Sequence, residues 1–438
     1  MRAFTIVWLG QILSLLGTSM TNFDLTIWAF EQTGQATSLA MIAFFYVAPL
    51  VVLSPVAGAI VDRSNRKLMM MVSDLAAGLT TLLVLALYST GSLEIWHLFV
   101  TSAITGAFQT FQWPAFSAAI TLMLPKQQYG RANGLVELAG STSGIFAPLL
   151  AGALLAFVGL TGILLIDVVT FCFAIGALVV IHVPQPEGSQ VGDASRGSLW
   201  AESIYGFRYI LQRPSLLGLQ LVFAAGNFFS TLGYTLMAPM ILARTTNNEI
   251  MLASAQSAGA VGGVVGGVIM SAWGGPKRRI HGVLAGWFVG SLLGQAVFGM
   301  GSTLPVWIAS SFVWALVSPI INASNQAIWQ AKVEPDVQGR VFATRRLIAW
   351  AVTPLAQLLA GPLADRVFEP AMQQPSALSD LFGGLVGTGS GAGMGLIVAL
   401  SGLAAAAIGL GAYAFRQIRD AELILPDFDE GVSLPNAG

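Results

Sequence analysis

Charge is scarce in this sequence. Asp, Glu, Lys and Arg make up only 9% of the 438 residues, whereas 55% are hydrophobic. So few charges cannot cover a water-facing globule of this length, which excludes a soluble fold. Cysteine is nearly absent as well. Cys172, the single one, lies inside an apolar run, so there is no disulfide framework and no CxxC metal spacing, and packing is left as its role. The three histidines, His97, His182 and His281, stand singly at the ends of apolar runs, a placement that suits an interface rather than a metal. No lysine follows a glycine, which removes the GK[ST] phosphate loop and any ATP site of that kind. Without a metal constellation or a recognisable nucleophile, no enzyme is indicated. No cofactor is implied, and nucleic acid is not an expected partner.

What is present is a series of long apolar runs. About 20 such residues cross a bilayer core as a helix, and about twelve runs approach that length. They extend from Phe4 to Ala29, Ser38 to Val61, Leu68 to Ser89, Ile95 to Leu124, Gly130 to Val158 and Thr161 to Val183. A second set covers Pro214 to Ala243, Met251 to Trp273, Ile280 to Met300, Leu304 to Ala331, Val337 to Val367 and Met394 to Phe415. They are continuous rather than alternating, and a backbone in lipid must satisfy its own hydrogen bonds, so helices are preferred over a barrel. The first run is too long for a signal-peptide core and reads as a retained helix. The expected organisation is a helical unit over 1–183, a linker over 184–213, a second helical unit over 214–418 and a polar, mobile tail over 419–438. Within the linker, Leu199 to Leu211 reads as an amphipathic helix on the membrane surface with Trp200, Ile204, Phe207 and Ile210 on one face, or as a linker without structure.

The densest charge cluster sits between the second and third runs as Gly58-Ala59-Ile60-Val61-Asp62-Arg63-Ser64-Asn65-Arg66-Lys67. Positive-inside anchoring accounts for Arg63, Arg66 and Lys67, but not for an acid and a glycine at fixed spacing. The pattern G-x-x-x-D-R-x-x-R-K resembles the loop between the second and third helices of major facilitator superfamily transporters. Gly58 would let helices approach closely, and Asp62 would offer its carboxylate to helix N-termini or arginines across a sliding interface, a conformational latch. Asp74, two turns into the third run, is expected to pair with the basic loop beside it.

An internal repeat supports the same family. Gly130-Arg131 opens the fifth run and Leu149-Leu150-Ala151-Gly152 follows, whereas Gly339-Arg340 and Leu358-Leu359-Ala360-Gly361 recur at the same offset in the eleventh. Before the ninth run, Gly274-Gly275-Pro276-Lys277-Arg278-Arg279 keeps the basic residues of the opening motif but not its Asp. The resemblance implies an all-α membrane protein with 12 transmembrane helices in two pseudo-symmetric six-helix bundles and a site between them near the midplane. A cytoplasmic start leaves Arg244 and Arg366 as the outside cations, so 20 less 2, or 18, of the Lys and Arg residues lie inside. The positive-inside rule therefore predicts a multi-pass protein of the inner (plasma) membrane with both termini cytoplasmic.

Ionisable groups at membrane depth are expensive and are functional candidates by default. Asp24, within Thr21-Asn22-Phe23-Asp24-Leu25-Thr26, and Glu137, roughly 10 Å into the fifth helix at about 1.5 Å per residue, are the candidate proton carriers. The alternatives are an acid near the outer interface for Asp24 and a partner for Arg131 or another arginine for Glu137. Asp167 reads as structural, and Arg345 and Arg346 as partners of a buried acid or of the interface. Gly140, Gly144 and Ala147-Pro148-Leu149-Leu150-Ala151-Gly152 resemble the glycine-proline signature of drug:proton antiporters, with Ala147 in place of a usual glycine; Gly144, Pro148 and Gly152 are the candidate hinge. Gln109, Gln112, Trp113, Asn227, Asn325 and Trp329 are the candidate cavity residues, with Asn322, Gln326 and Gln357 beside them, although helix packing explains such groups as well.

The ending Leu359-Ala360-Gly361-Pro362-Leu363-Ala364-Asp365, followed by Phe368-Glu369-Pro370, resembles the drug-efflux and siderophore-exporter branch, which includes macrolide and enterobactin exporters. That resemblance implies alternating access, with protons entering as a lipophilic or amphiphilic small molecule is exported. A lysophospholipid or other amphiphile transporter and a membrane sensor that has lost transport are the alternatives.

Overall fold

The computed structural model describes residues 2–33, 36–185, 199–246 and 248–428. The chain is helical throughout them. The helices of the first half are α1 (Arg2–Thr33), α2 (Ala36–Arg63), α3 (Arg66–Ser89), α4 (Ile95–Met123) and α5 (Tyr129–Val180). α6 (Leu199–Leu211) leads to the second half, with α7 (Pro214–Arg244), α8 (Glu249–Trp273), α9 (Arg279–Val289), α10 (Leu304–Lys332), α11 (Gln338–Leu363), α12 (Ala377–Val386) and α13 (Ala392–Gly411). Two runs continue past their ends through wide π-type turns, α9 to Met300 and α11 to Gln373.

Among the described residues, ten helices are long and apolar enough to cross a membrane. α2 makes an eleventh, although it bends by 66° between Ser54 and Val56. α5 contributes two of the ten, because Gly159, at φ 64, folds its 52 residues into two arms. Only glycine enters that left-handed region without a Cβ clash. The remaining span is α4, whose 29 residues extend about 43 Å at about 1.5 Å each. His97, Gln109 and Gln112 interrupt its apolar run. The caps explain where the runs start. Asn65 accepts a bond from the Leu68 amide at 3.1 Å to open α3, and Asn248 accepts from Met251 at 3.1 Å to open α8.

The halves repeat one packing plan. α2 packs on α4 as α8 packs on α10, and α1 packs on both arms of α5 as α7 packs on α11 and α13. Across the molecule, α5 crosses α8 and α2 crosses α11. Each half carries its own core; in the second, Trp287 meets Phe223 edge-on at 5.7 Å and Trp314 at 5.9 Å. Large apolar side chains such as Phe157, Val180 and Leu358 remain exposed on the outside, where lipid, rather than protein, is their complement.

Two segments depart from expectation. α6 forms where the pattern placed it, but it does not present the expected stripe to a membrane. Gly206, Tyr209 and Ile210 are buried, a Cβ at Gly206 would strike Thr344 and the Arg340 carbonyl, and Ile204 stays exposed. Tyr209 donates to Glu334 at 2.9 Å. The helix therefore packs on the start of α11. The Trp200 side chain and the rest of the linker, 186–198, fall outside the described residues.

The tail from Arg416, expected to be mobile, is tied down as far as Phe428; residues 429–438 are not among those described. Asp427 lies 3.2 Å from Lys126 of the first half and 2.8 Å from Lys332 of the second. The Phe428 amide donates to the Ala331 carbonyl at 3.2 Å, and Lys126 sits 4.5 Å from the Phe428 ring. Burial works against an ionised Asp427, but the bonds from Lys332 and Lys126 outweigh it and hold the carboxyl below its ordinary range. Because the folded carboxyl ionises below the unfolded one, the clasp stabilises the tail above about pH 4 and is lost as pH falls through the depressed value. Asp427→Asn should therefore speed tryptic cleavage after Arg419 several-fold at neutral pH while leaving membrane insertion intact. Cleavage at the wild-type rate would show that the clasp does not hold the tail.

Candidate functional site

The charged motif after α2 makes the tightest crossing between the halves. α11 begins at Val337 and Gln338 without a side-chain cap of its own, which leaves its first backbone N–H groups without intrahelical acceptors. Asp62 supplies them from the other half. Its carboxylate accepts from the Gly339 amide at 2.7 Å, the Arg340 amide at 2.9 Å and Arg340 Nε at 3.1 Å. Arg66 lies 3.9 Å from the same carboxylate and donates to the carbonyls of Ala118, at 3.0 Å, and Pro335. A Cβ on Gly58 would overlap the Gly339 carbonyl oxygen, so the approach requires glycine there. Lys67 points elsewhere and donates to the Val179 carbonyl at 3.0 Å. Arg63 is also engaged.

Asp74 belongs to a different network. Instead of pairing with the basic loop, its carboxylate accepts from Gln11 at 2.7 Å and Gln112 at 3.0 Å, two turns deep in the first half. The Gln11 amide of α1 and the Gln112 amide of α4 reach it, while Arg66 and Lys67 of the loop are committed to backbone carbonyls and Asp62.

The pseudo-symmetric crossing of α5 on α8 is steric rather than ionic. A Cβ on Gly130 would strike the Gly274 carbonyl, and one on Gly134 would meet Ser271 and Met270. Farther along, Gly267 faces Leu138, and Gly263 would approach Ser141 at 3.1 Å. Beyond Ser141 the helices part. Nothing lies within 4 Å of a Cβ at Gly144, Gly152 or Gly361. The candidate hinge glycines therefore border open space in this conformation, and the close packing expected of them falls instead on Gly130 and Gly134. Asn133 to Gln330 at 2.6 Å, Gln330 to the Ser117 carbonyl at 2.9 Å and Thr121 to Gln338 at 3.0 Å complete the seal. Among the described residues, the hydrogen bonds between the halves lie between the motif end and Glu137. The two halves form a V that is shut at the motif end.

At the bottom of that V is a cavity of 260 Å³. It is lined by Trp113, Asn227 and Asn325 of the candidate cavity residues, by Asn322 and Gln326 named beside them, by Glu137, and also by Gln220, Phe223, Arg345, Arg346 and Trp350. Glu137 Oε2 accepts from Asn322 across the halves at 3.3 Å, and among the described residues no arginine lies within 4.0 Å of it. Asn227 donates to the Ala349 carbonyl at 3.3 Å. Trp329 stands behind the wall, fully buried, and donates to Asn325 Oδ1 at 3.1 Å. Gln109 and Gln112 line a neighbouring cavity of 230 Å³ with Gln11 and Asp74. Asn322 and Gln326 stand at an i,i+4 spacing on one face of α10, as the sequence implied, whereas Gln220, Phe223 and Trp350 carried no such signal.

The other candidate acids sit nearer the open end. Asp24 is 2% exposed, and neither carboxylate oxygen has a hydrogen-bond partner. Thr21, Asn22 and Thr26 around it line a hydroxyl-rich cavity of 290 Å³ that Asp24 itself does not line. Asp167 accepts from Thr18 at 3.0 Å and Thr81 at 2.9 Å and ties three helices together.

Comparison with known proteins agrees with this geometry. Residues 7–356 match the model of the Major Facilitator Superfamily. Macrolide efflux protein A of Streptococcus pyogenes is 25% identical over 378 residues, covering 83% of this chain and 90% of that protein. Multidrug efflux pump Tap of Mycolicibacterium fortuitum is 26% identical over 379 residues, covering 81% of this chain and 90% of the pump. Among solved structures, a bacterial homologue of the iron transporter ferroportin in an outward-facing state superposes with a TM-score of 0.70 at 17% identity, covering 94% of this chain and 99% of that one. The Escherichia coli fucose:proton symporter gives 0.63 at 13% identity, covering 94% and 98%.

Removing the Asp62 charge while keeping its shape tests the crossing. An amide cannot accept from three donors as a carboxylate does, so Asp62→Asn should cost the closed motif end about 1–3 kcal/mol. In a Cys172→Ala background, a cysteine at Ala327, fully buried here, should react with a small maleimide about tenfold faster or more once Asp62 is neutralised. An unchanged labelling rate would show that Asp62 does not hold the end shut.

Proposed function

The chain belongs to the Major Facilitator Superfamily, and on that premise we propose that it is a proton-coupled exporter of lipophilic or amphiphilic small molecules working by alternating access. One observation carries the reading: a cavity of mixed aromatic, amide and charged lining lies at the bottom of a V closed at one end only. Such a cavity offers apolar area and adaptable hydrogen bonds, and it has no close-fitting polar cage for a small, strongly hydrated solute. Two efflux proteins covering most of the chain support the direction of transport. The family's members are transporters, which argues for a carrier rather than an enzyme.

We place the motif end in the cytoplasm of a bacterial inner membrane, with both termini on that side, because this orientation leaves only Arg244 and Arg366 of the 20 Lys and Arg residues outside. The conformation described here is then outward-facing. Asp62, Gly58 and Arg66 form the latch of that state, and Gly144, Pro148 and Gly152 border the region that closes in the opposite one. Asp24 and Glu137 are the proposed proton carriers. Among the described residues both are carboxyls at membrane depth without a basic partner within 4.0 Å, one without any bond and one holding a single long bond across the halves.

Cells stripped of their own pumps should accumulate several-fold less of a lipophilic dye when this protein is expressed, and a protonophore should remove the difference. Neutralising the true carrier, by Asp24→Asn or Glu137→Gln, should abolish uphill efflux and spare downhill exchange. Robust uptake of a sugar with no efflux of any amphiphile would overturn the assignment, and uphill efflux by both amide variants would clear both acids.

A further inference from the structure

The central cavity carries an unbalanced charge. Of its lining residues, Arg345, Arg346 and Glu137 ionise, two positive charges against one negative. Neither guanidinium has a carboxylate within 4.0 Å among the described residues, and Glu137 is bonded to Asn322. Arg345 is held by aromatic faces: its guanidinium carbon lies 5.3 Å from the Trp329 ring, 5.9 Å from Phe342 and 6.0 Å from Trp113. Arg346 sits 5.2 Å from Trp113 and 5.4 Å from Trp350. Ring faces attract a cation but leave its N–H donors unbonded. Arg345 Nη1 is buried with no acceptor, and the amide nitrogen and oxygen of Gln326 on the facing α10 are likewise buried without partners. A cation with free donors, and an amide free at both ends, together form an incomplete anion site.

We propose that this cavity selects amphiphiles bearing a carboxylate, with Arg345 as the specificity-determining residue. The inference rests on the reading of the cavity as the cargo site. The carboxylate oxygens would accept from the Arg345 fork and from the Gln326 amide, and Arg346 would offset the remaining charge. The apolar body would lie among Trp113, Trp350 and Phe223, which line the same space. One added negative charge neutralises the net single positive charge of the lining. A cationic cargo would raise that charge and find only Glu137 to receive it.

Three probes with one body and different heads test this: 2-naphthoate, 2-naphthamide and 2-naphthylmethylammonium, titrated calorimetrically into the purified full-length protein. The carboxylate should bind about tenfold or more tightly than the amide, and the ammonium most weakly. Arg345→Gln should reduce the carboxylate-to-amide ratio to about threefold or less, and Arg345→Lys, which keeps the charge and loses the fork, should fall between. Glu137→Gln should raise the ratio, because it removes the one lining acid. Should Arg345→Gln not fold, the lysine and Glu137 variants still decide the matter. Equal binding of carboxylate and amide, a preference for the ammonium, or a ratio unmoved by the Arg345 and Glu137 variants would overturn the anion site while leaving an amphiphile cavity in place. Failure of all three probes to bind would overturn both readings together.

Discussion

A helix N-terminus buried without a cap is an unstable arrangement, and α11 has one. Its first backbone N–H groups are satisfied only because Asp62 reaches them from the other half of the molecule. The bond is therefore both a cap and an interface, and neither function can be lost without the other. Each donor adds to the field that favours a carboxylate at this spot, with the α11 dipole and the guanidinium of Arg340 acting in the same direction. Gly58 is the condition for the contact, since any side chain there would hold the Asp62 turn away from Gly339.

The rest of the conformation follows from that seal. With α2 drawn onto α11 and Gly130 and Gly134 of α5 pressed onto the end of α8, the helices meet at the motif end and separate beyond Ser141. The cavity lies where they begin to part, so both halves contribute to its walls: Trp113 and Glu137 from one, Asn325 and Arg345 from the other. A rotation that opened the motif end would have to break the Asp62 cap, the Asn133 to Gln330 bond and the Asp427 clasp together. Several modest interactions placed at one end of a lever make two discrete arrangements more favourable than a continuum between them. In the proposed cycle that property couples cargo to protons.

Much of this was legible in the sequence. The spans, the repeat of Gly-Arg at Gly130 and Gly339, and the Asp62 motif depend on local composition and spacing, which a linear reading captures. Even the loss of the acid before α9 has its counterpart in space, where the Gly130 crossing is steric and has no carboxylate. What escaped depends on which neighbours a side chain meets. Asp74 looked like a partner for the adjacent basic loop, but the rotation of α3 turns it to Gln11 and Gln112. Gln109 and Gln112 open with Asp74 onto a second cavity that shares Trp113, Phe116 and Arg346 with the central one, a division that only the packing of α1 and α3 against α4 creates. Arg345 and Arg346 read as anchors or partners of an acid, and only the packing of α11 against Trp113 and Trp329 reveals two cations without one. The candidate hinge glycines, Gly144 and Gly152, were legible as small, but the open space beside them was not.

Distances between spin labels across the halves test the central claim most directly, with one pair at the motif end and a second at the open end, measured with Asp62 intact and neutralised. The account predicts a short motif-end distance in the intact protein. It further predicts a shift on neutralisation in which the motif-end pair lengthens while the open-end pair shortens in the same population. Distances that stay unchanged, or that lengthen together at both ends, would contradict a lever held shut by the Asp62 cap.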